Sequence, residues 1–156
     1  MIATVRRATG ADRASALALW TALHRAHEAL DARYVLADDA PDRWATDYSD
    51  WLRSDTDRVW LAEADGAAVG LLTAHLYTPA PTFTPALMVW VDDLYVAPEA
   101  RGRGVGRLLL DEARVWAHGL GATEIRAGVL ATNPGGRAFW AREGAADVSV
   151  VVTVPL

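Results

Sequence analysis

A chain of 156 residues, 52% hydrophobic with seven tryptophans, has the length and apolar content for one packed domain and not for a disordered segment. Its net charge of −5 argues against a nucleic-acid binder, which would present a basic face, and all fifteen basic residues are arginine. The lack of cysteine excludes disulfides, thiolate metal sites and a cysteinyl acyl intermediate.

Residues 4–7 read as a first short strand, closed by Ala8, Thr9 and Gly10. Asp12 is placed to cap a helix running to about Ala32, with an apolar stripe of Ala16, Trp20, Leu23, His27 and Leu30. A second helix starts at residues 38–41, where Pro41 suits the first turn, and buries Trp44, Tyr48, Trp51 and Leu52. Residues 58–64 and 67–77 read as strands joined at Asp65-Gly66, a favoured hairpin turn. The Pro-rich stretch 78–85 is a loop, either a stiff connection or the cover of a pocket.

Residues 87–96 form the next strand, and a helix from Gly104 to about His118 buries Val105, Leu109, Ala113 and Trp116 while showing Asp111, Arg114 and His118 to solvent. Gly119 and Gly121 end it. A strand over 124–130, a short helix over 134–143 and a closing Val-rich strand over 147–154 complete the chain. The alternation of strands and helices, with one hairpin, predicts an α/β fold around a mixed sheet. No apolar run is long enough to span a membrane and the N-terminal stretch lacks a signal-peptide pattern, so a cytoplasmic protein is expected.

The most telling stretch is 89–106, where an apolar strand runs through a turn into alternating glycines and arginines and then a helix. Gly102, Gly104 and Gly106 let the backbone turn sharply, so that its N–H groups converge at the positive end of the helix dipole. Arg101, Arg103 and Arg107 add fixed positive charge, and together these features suit a phosphate or pyrophosphate. A P-loop is excluded because there is no lysine. A dinucleotide fingerprint fails because Arg107 or Leu109 stands where its third glycine is needed.

The spacing Arg101-x-x-Gly104-x-Gly106 resembles the acyl-CoA-binding motif of the GNAT family of N-acetyltransferases, and Asn133-Pro-Gly-Gly-Arg-Ala-Phe139-Trp140-Ala-Arg-Glu-Gly144-Ala145 resembles that family's later motif. In order and spacing nearly the whole chain, residues 1–156, fits one such domain, the first half loosely. The resemblance implies a mixed central sheet whose strands over 87–96 and 124–130 run parallel and splay apart, flanked by helices. It implies acetyl-CoA as acyl donor, with Leu94, Tyr95 and Val96 holding the pantetheine arm and polarising the acyl carbonyl. The N–H groups of Gly102, Arg103, Gly104, Val105, Gly106 and Arg107 would hold the pyrophosphate. Asn133, Gly136 and Trp140 would lie along the pantetheine arm, although Asn before Pro also starts turns. A homodimer is the family habit, and residues 148–154 would suit an interface strand.

Asp92 and Asp93 are two acids in one apolar strand, where neighbours point to opposite faces, so one of them is expected at a cleft or sheet opening. There it would bind a cationic amine or accept its proton; the alternative is a structural pair with Arg101 or Arg126. The acidic pair and the Gly144-Ala145 ending resemble the polyamine (spermidine/spermine-type) branch. On the first helix, His27 and Glu28 are further candidates for the acceptor pocket, against a plain core role for His27; His75 and His118 are not expected to be site residues. Trp140 departs from many members of the family, in which a Tyr there protonates the leaving thiolate; indole N–H is too weak an acid for that, so the thiolate would leave unassisted, be protonated by water or use another residue, with Tyr95 a candidate by proximity. The spacing suggests no metal site. The expected activity is acetyl-CoA-dependent N-acetylation of a small, cationic primary amine by direct transfer in a ternary complex. The alternatives are a protein N-terminus or aminoglycoside-type drug as acceptor, or a non-catalytic acyl-CoA-binding regulatory module.

Overall fold

The computed structural model describes residues 2–80, 82, 84 and 86–156. Its strands and longer helices follow as β1 (Ala3–Arg7), α1 (Arg13–Leu30), α2 (Ala40–Arg53), β2 (Asp57–Ala64), β3 (Ala67–Tyr77), β4 (Met88–Val96), α3 (Val105–Gly119), β5 (Glu124–Ala127) and α4 (Pro134–Arg142). Pro81, Phe83 and Pro85 of the Pro-rich loop lie outside the described residues.

The strands form one sheet in the order β1-β2-β3-β4-β5, antiparallel except for the parallel pair β4–β5. Asp65 and Gly66 both take positive φ, 51° and 79°, which matches a tight hairpin turn to the twist of β2 and β3. Two apolar layers sandwich the sheet. On one face Leu72, Val89 and Val91 pack with Val105, Leu109 and Ala113 of α3. On the other, Val59, Leu61 and Leu71 meet Ala16, Leu19 and Trp20 of α1 and Trp44 and Tyr48 of α2. Each such leucine contributes about 1.5–3 kcal/mol through burial.

Several local expectations are corrected. The buried stripe of α1 is Ala16, Leu19, Trp20 and Leu23, while Leu30 is exposed, because α1 outruns the sheet at its C-terminal end. Asp12 does not cap α1 with its side chain; its carboxylate accepts from Thr9 N–H and Oγ1 and from Arg6. Trp51, Leu52 and Trp116 are only partly buried, and Arg114, expected in solvent, reaches Glu143. The last strand of the sheet stops at Ala127, where Gly128 follows and weakens further pairing.

Residues 147–154 form no strand, and their valines stand exposed. Gly144 at φ +87°, the bond from Ala145 N–H to the Trp140 carbonyl and the Arg137–Asp147 pair fix how the chain leaves α4. A β pattern without a neighbouring edge remains unpaired.

Candidate functional site

The register between β3 and β4 shifts at one point: Thr73 pairs with Asp93 but Ala74 pairs with Val91, leaving Asp92 as an extra residue. This β-bulge overturns the expectation that the two acids face opposite ways. Thr73 and His75 are two apart on β3 and share a face, and each holds one of the aspartates. Thr73 Oγ1 donates to Asp93 Oδ2 at 2.6 Å, and His75 Nδ1 lies 2.8 Å from Asp92 Oδ2. Both carboxylates therefore look toward α1. Asp93 is only 7% exposed, and its Oδ1 lies 3.6 Å from His24 Nε2. Neither acid pairs with Arg101 or Arg126, which bond the Val96 carbonyl and Glu124.

The two acids differ in setting. The Asp92 side chain is 43% exposed, yet partial burial pushes its carboxyl above the usual range, with His75 opposing. His27 lies edge-on to His24, with ring centroids 5.7 Å apart. Burial first, and then the neighbouring His24, push His27 below its ordinary value against the pull of Asp93. The shift favours the neutral imidazole. The Trp20 ring lies tilted against His24, with centroids 4.4 Å apart. Glu28 is exposed on α1, and the structure gives it no contact with the acids.

Sequence reasoning missed three members of this cluster. His75 was set aside, yet it is the partner of Asp92, and His118 does lie exposed on α3. His24 sits one turn before His27, a spacing that was readable. Thr73 gave no signal, since its role depends on cross-strand register.

The acids stand where the sheet opens. Pairing of β4 with β5 runs from Met88/Glu124 to Val91/Ala127 and ends there, while β4 continues through Val96. Among the described residues the edge over 92–96 therefore has no strand neighbour on that side. The Val96 carbonyl accepts from Arg101 Nε at 2.9 Å, and the Arg101 guanidinium lies 5.6 Å from the Tyr95 ring. Tyr95 pairs across from Leu71 and packs on the α1/α2 layer.

At the end of β4 the chain turns through Gly102 and Gly104, with φ of +72° and +79°. The first bond of α3 runs from Leu108 N–H to the Gly104 carbonyl, so the N–H groups of Val105, Gly106 and Arg107 have no helical acceptor. Gly106 does not share that left-handed turn; a Cβ there would lie 3.1 Å from Phe139 Cε2, so this glycine lets α4 pack close to α3. Arg103 is exposed, and Arg107 lies 3.9 Å from Glu143. Asn133 caps α4, its Oδ1 accepting from Gly136 N–H at 2.9 Å, so that N–H is not free for a ligand. The Trp140 ring packs against the α3-side core.

Two hollows flank the site. One of about 530 Å³ lies between α1, the β2–β3 turn and Tyr95. Another, of about 410 Å³, sits at the far end of β4, lined by Tyr77, Met88, Glu124 and Arg126 and by Pro79, Ala80 and Thr84 of the Pro-rich stretch. Neither contains the two acids.

Residues 19–145 match the model of the acetyltransferase (GNAT) family. An uncharacterized N-acetyltransferase of Methanocaldococcus jannaschii is 27% identical over 110 residues, 70% of this chain and 48% of that protein, so the chain spans about half the length of that curated relative. Among solved structures, a mutant of the BH1408 protein of Bacillus halodurans superposes with a TM-score of 0.86 at 22% identity, covering 100% of this chain and 99% of that one. An aminoglycoside N-acetyltransferase, AAC(6')-Iy in complex with CoA, gives a TM-score of 0.80 at 20% identity over 99% of this chain and 95% of that one. At these identities the two structures establish a shared fold. No described helix is long and apolar enough to cross a membrane.

Proposed function

The chain belongs to the acetyltransferase (GNAT) family, and we propose that it transfers an acetyl group from acetyl-CoA to a primary amine of a small cationic molecule, directly and within a ternary complex. The observation that carries this reading is the β4 bulge, which sets Asp92 and Asp93 side by side at the point where β4 and β5 part.

The residues present fit acetyl-CoA. Unpaired N–H groups at the start of α3, with Gly102 and Gly104 in left-handed conformation, suit a pyrophosphate. The unpaired β4 edge over residues 92–96 offers main-chain groups to the amides of a pantetheine arm. Leu94, Tyr95, Arg101, Arg103, Val105, Gly106, Arg107 and Trp140 border this path. Asn133 has its Nδ2 left for the arm after capping α4. When bound, acetyl-CoA supplies the acetyl group as an activated thioester.

The chain's own residues then manage the amine. Asp92 and Asp93 attract a protonated amine, and the half-exposed Asp92 meets it first. The proton must leave before nitrogen can attack, and Asp93, with His24 and His27 near it, gives it a place to go. Glu28 stands further along α1, where a second positive charge of the acceptor would be met. Tyr95 is the proposed proton source for the departing thiol sulfur, since Trp140 has none to give.

The named neighbour acts on an aminoglycoside, and polyamines share that polycationic character. The test is free-thiol release from acetyl-CoA across polyamines, aminoglycosides, amino acids and short peptides. Turnover with a polycationic class is expected. Tight CoA binding without turnover on any amine would replace the proposal by a non-catalytic binding module, and no CoA binding at all would remove it.

A further inference from the structure

The face of the sheet that carries the two aspartates runs on past them. Thr73 and His75 hold the acids, and Tyr77 follows at the same two-residue step on β3. Register then sets two rows across three strands: His75, Trp90 and Arg126, and beyond them Tyr77, Met88 and Glu124. The apolar layer of α1 and α2 includes none of Tyr77, Met88 or Trp90. The hollow of about 410 Å³ stands on the second row, with Pro79, Ala80 and Ala86 as further walls. Small-ligand sites fall in the range of about 300–1,000 Å³.

What this hollow offers is mainly apolar and electrically balanced. Tyr77 is 41% exposed, while Met88 is buried. The rings of Tyr77 and Trp90 lie tilted with centroids 6.3 Å apart, a pair that a further ring can join edge-to-face. Its two charged residues neutralise each other, since Glu124 Oε1 accepts from Arg126 Nε at 2.9 Å and Nη2 at 2.6 Å. A charged guest would have to compete with that pair, whereas an apolar one leaves it whole. Along β4, Trp90 and Met88 stand two and four residues before Asp92, about 7 and 13 Å away, which one small molecule can span. We propose that this hollow receives the end of the acceptor remote from its reacting amine, and that this end is an uncharged apolar or aromatic group. The inference rests on the reading of Asp92 and Asp93 as the pair that meets the amine. It adds a second requirement: positive charge is met at the acids and along α1, and the apolar part at Tyr77, Met88 and Trp90. Tyr77 and Arg126 then determine specificity without taking part in the transfer.

The test is calorimetric binding of primary amines of equal charge, whose methylene chains of graded length end in phenyl or in hydrogen. This readout needs no turnover. In wild type the phenyl-ended amine of matching length is expected to bind roughly tenfold tighter or more than its hydrogen-ended counterpart. Tyr77→Ala should remove most of that gain and leave the hydrogen-ended amine unchanged. Tyr77 is exposed at the end of β3, so the fold can accept the change. Arg126→Gln should release Glu124, so that an amine with a second positive charge at its far end gains affinity and the phenyl-ended one does not. Equal binding of the two ends in wild type overturns the inference, as does a phenyl gain that Tyr77→Ala and Arg126→Gln both leave untouched. Asp92→Asn separates the two claims. If it weakens both amines while the two ends bind equally, the hollow alone is lost as a subsite; if neither amine responds to it or to Asp93→Asn, the reading of the acids falls and this inference with it.

Discussion

A single inserted residue in β4 sets two carboxylates on one face of the sheet. Without the bulge at Asp92, one carboxylate would point into the α3-side core and the other would stand alone. With it, Thr73, His75 and His24 can hold two acids of different character. Asp93→Asn keeps the shape and the Thr73 contact but removes the charge opposite His24, so turnover should fall about a hundredfold. CoA affinity should stay within about twofold, because Asp93 makes no contact with the α3 loop. Asp92→Asn should act mainly on acceptor KM. Since burial holds the Asp92 carboxyl above its usual range, acceptor affinity should begin to fall at a higher pH on acidification than an ordinary aspartate would give. Steady-state kinetics of both variants against pH check these expectations. Tyr48 makes a stability prediction of the same kind. It is fully buried, its hydroxyl donates to the Thr9 carbonyl at 2.7 Å, and burial pushes it from 10 up to about 12. The folded state thus keeps a proton that the unfolded chain releases near pH 10. Stability from this group is whole below pH 10 and is lost as pH rises toward 12. In denaturant titrations, Tyr48→Phe should flatten that alkaline slope and cost about 1 kcal/mol at neutral pH.

The elements show which features a sequence declares and which it leaves to the fold. The hairpin over Asp65-Gly66, the ends of β3 and the extent of α3 were legible because turn chemistry and helical period are local. The glycine turn before α3 was legible for the same reason, and it makes a sharp prediction. Gly104 sits at φ +79° with open space around its Cα, so Gly104→Ala meets no clash but strains the backbone by about 1 kcal/mol or more. The turn should relax away from that conformation, and CoA affinity should drop by calorimetry while the thermal midpoint moves little. At Gly136 the opposite balance holds, since a Cβ would lie 2.7 Å from Asn133 Nδ2. Gly136→Ala should break the α4 cap and cost about 1 kcal/mol of stability, measurable by denaturant unfolding. The bulge was not legible, because it is a property of the register between β3 and β4 and not of either strand. The 147–154 segment misled for a related reason. Its Val-rich composition suggested a closing strand, but it forms none, because whether an edge lies within reach is decided by how α4 ends.

Across the whole molecule, the charge distribution sets two demands against each other. The protein carries −5 overall and sets Asp92 and Asp93 where β4 leaves β5, yet Arg101, Arg103 and Arg107 gather at the turn into α3. The arginines are not equally available: Arg101 is tied to the Val96 carbonyl, Arg107 lies 3.9 Å from Glu143, and Arg103 is exposed. A multiply charged anion such as CoA is drawn to this end and repelled by the rest, so its binding should weaken as salt screens the short-range attraction. Arg103→Gln should reduce both the affinity and its salt dependence, whereas Arg101→Gln should also loosen the end of β4. Binding itself must feed back on stability. CoA would occupy the gap between β4 and β5, joining the half of the sheet held by α1 and α2 to the edge carried by β5 and α4. A ligand that binds the folded chain alone raises unfolding free energy by RT ln(1 + [L]/Kd), about 2.7 kcal/mol at a hundredfold excess over Kd. The thermal midpoint should therefore climb with CoA concentration in wild type and climb less in Gly104→Ala and Arg103→Gln. In Asp93→Asn it should climb as in wild type, because that change leaves the cofactor path intact. A midpoint that ignores CoA in wild type would show that the folded chain does not bind the cofactor.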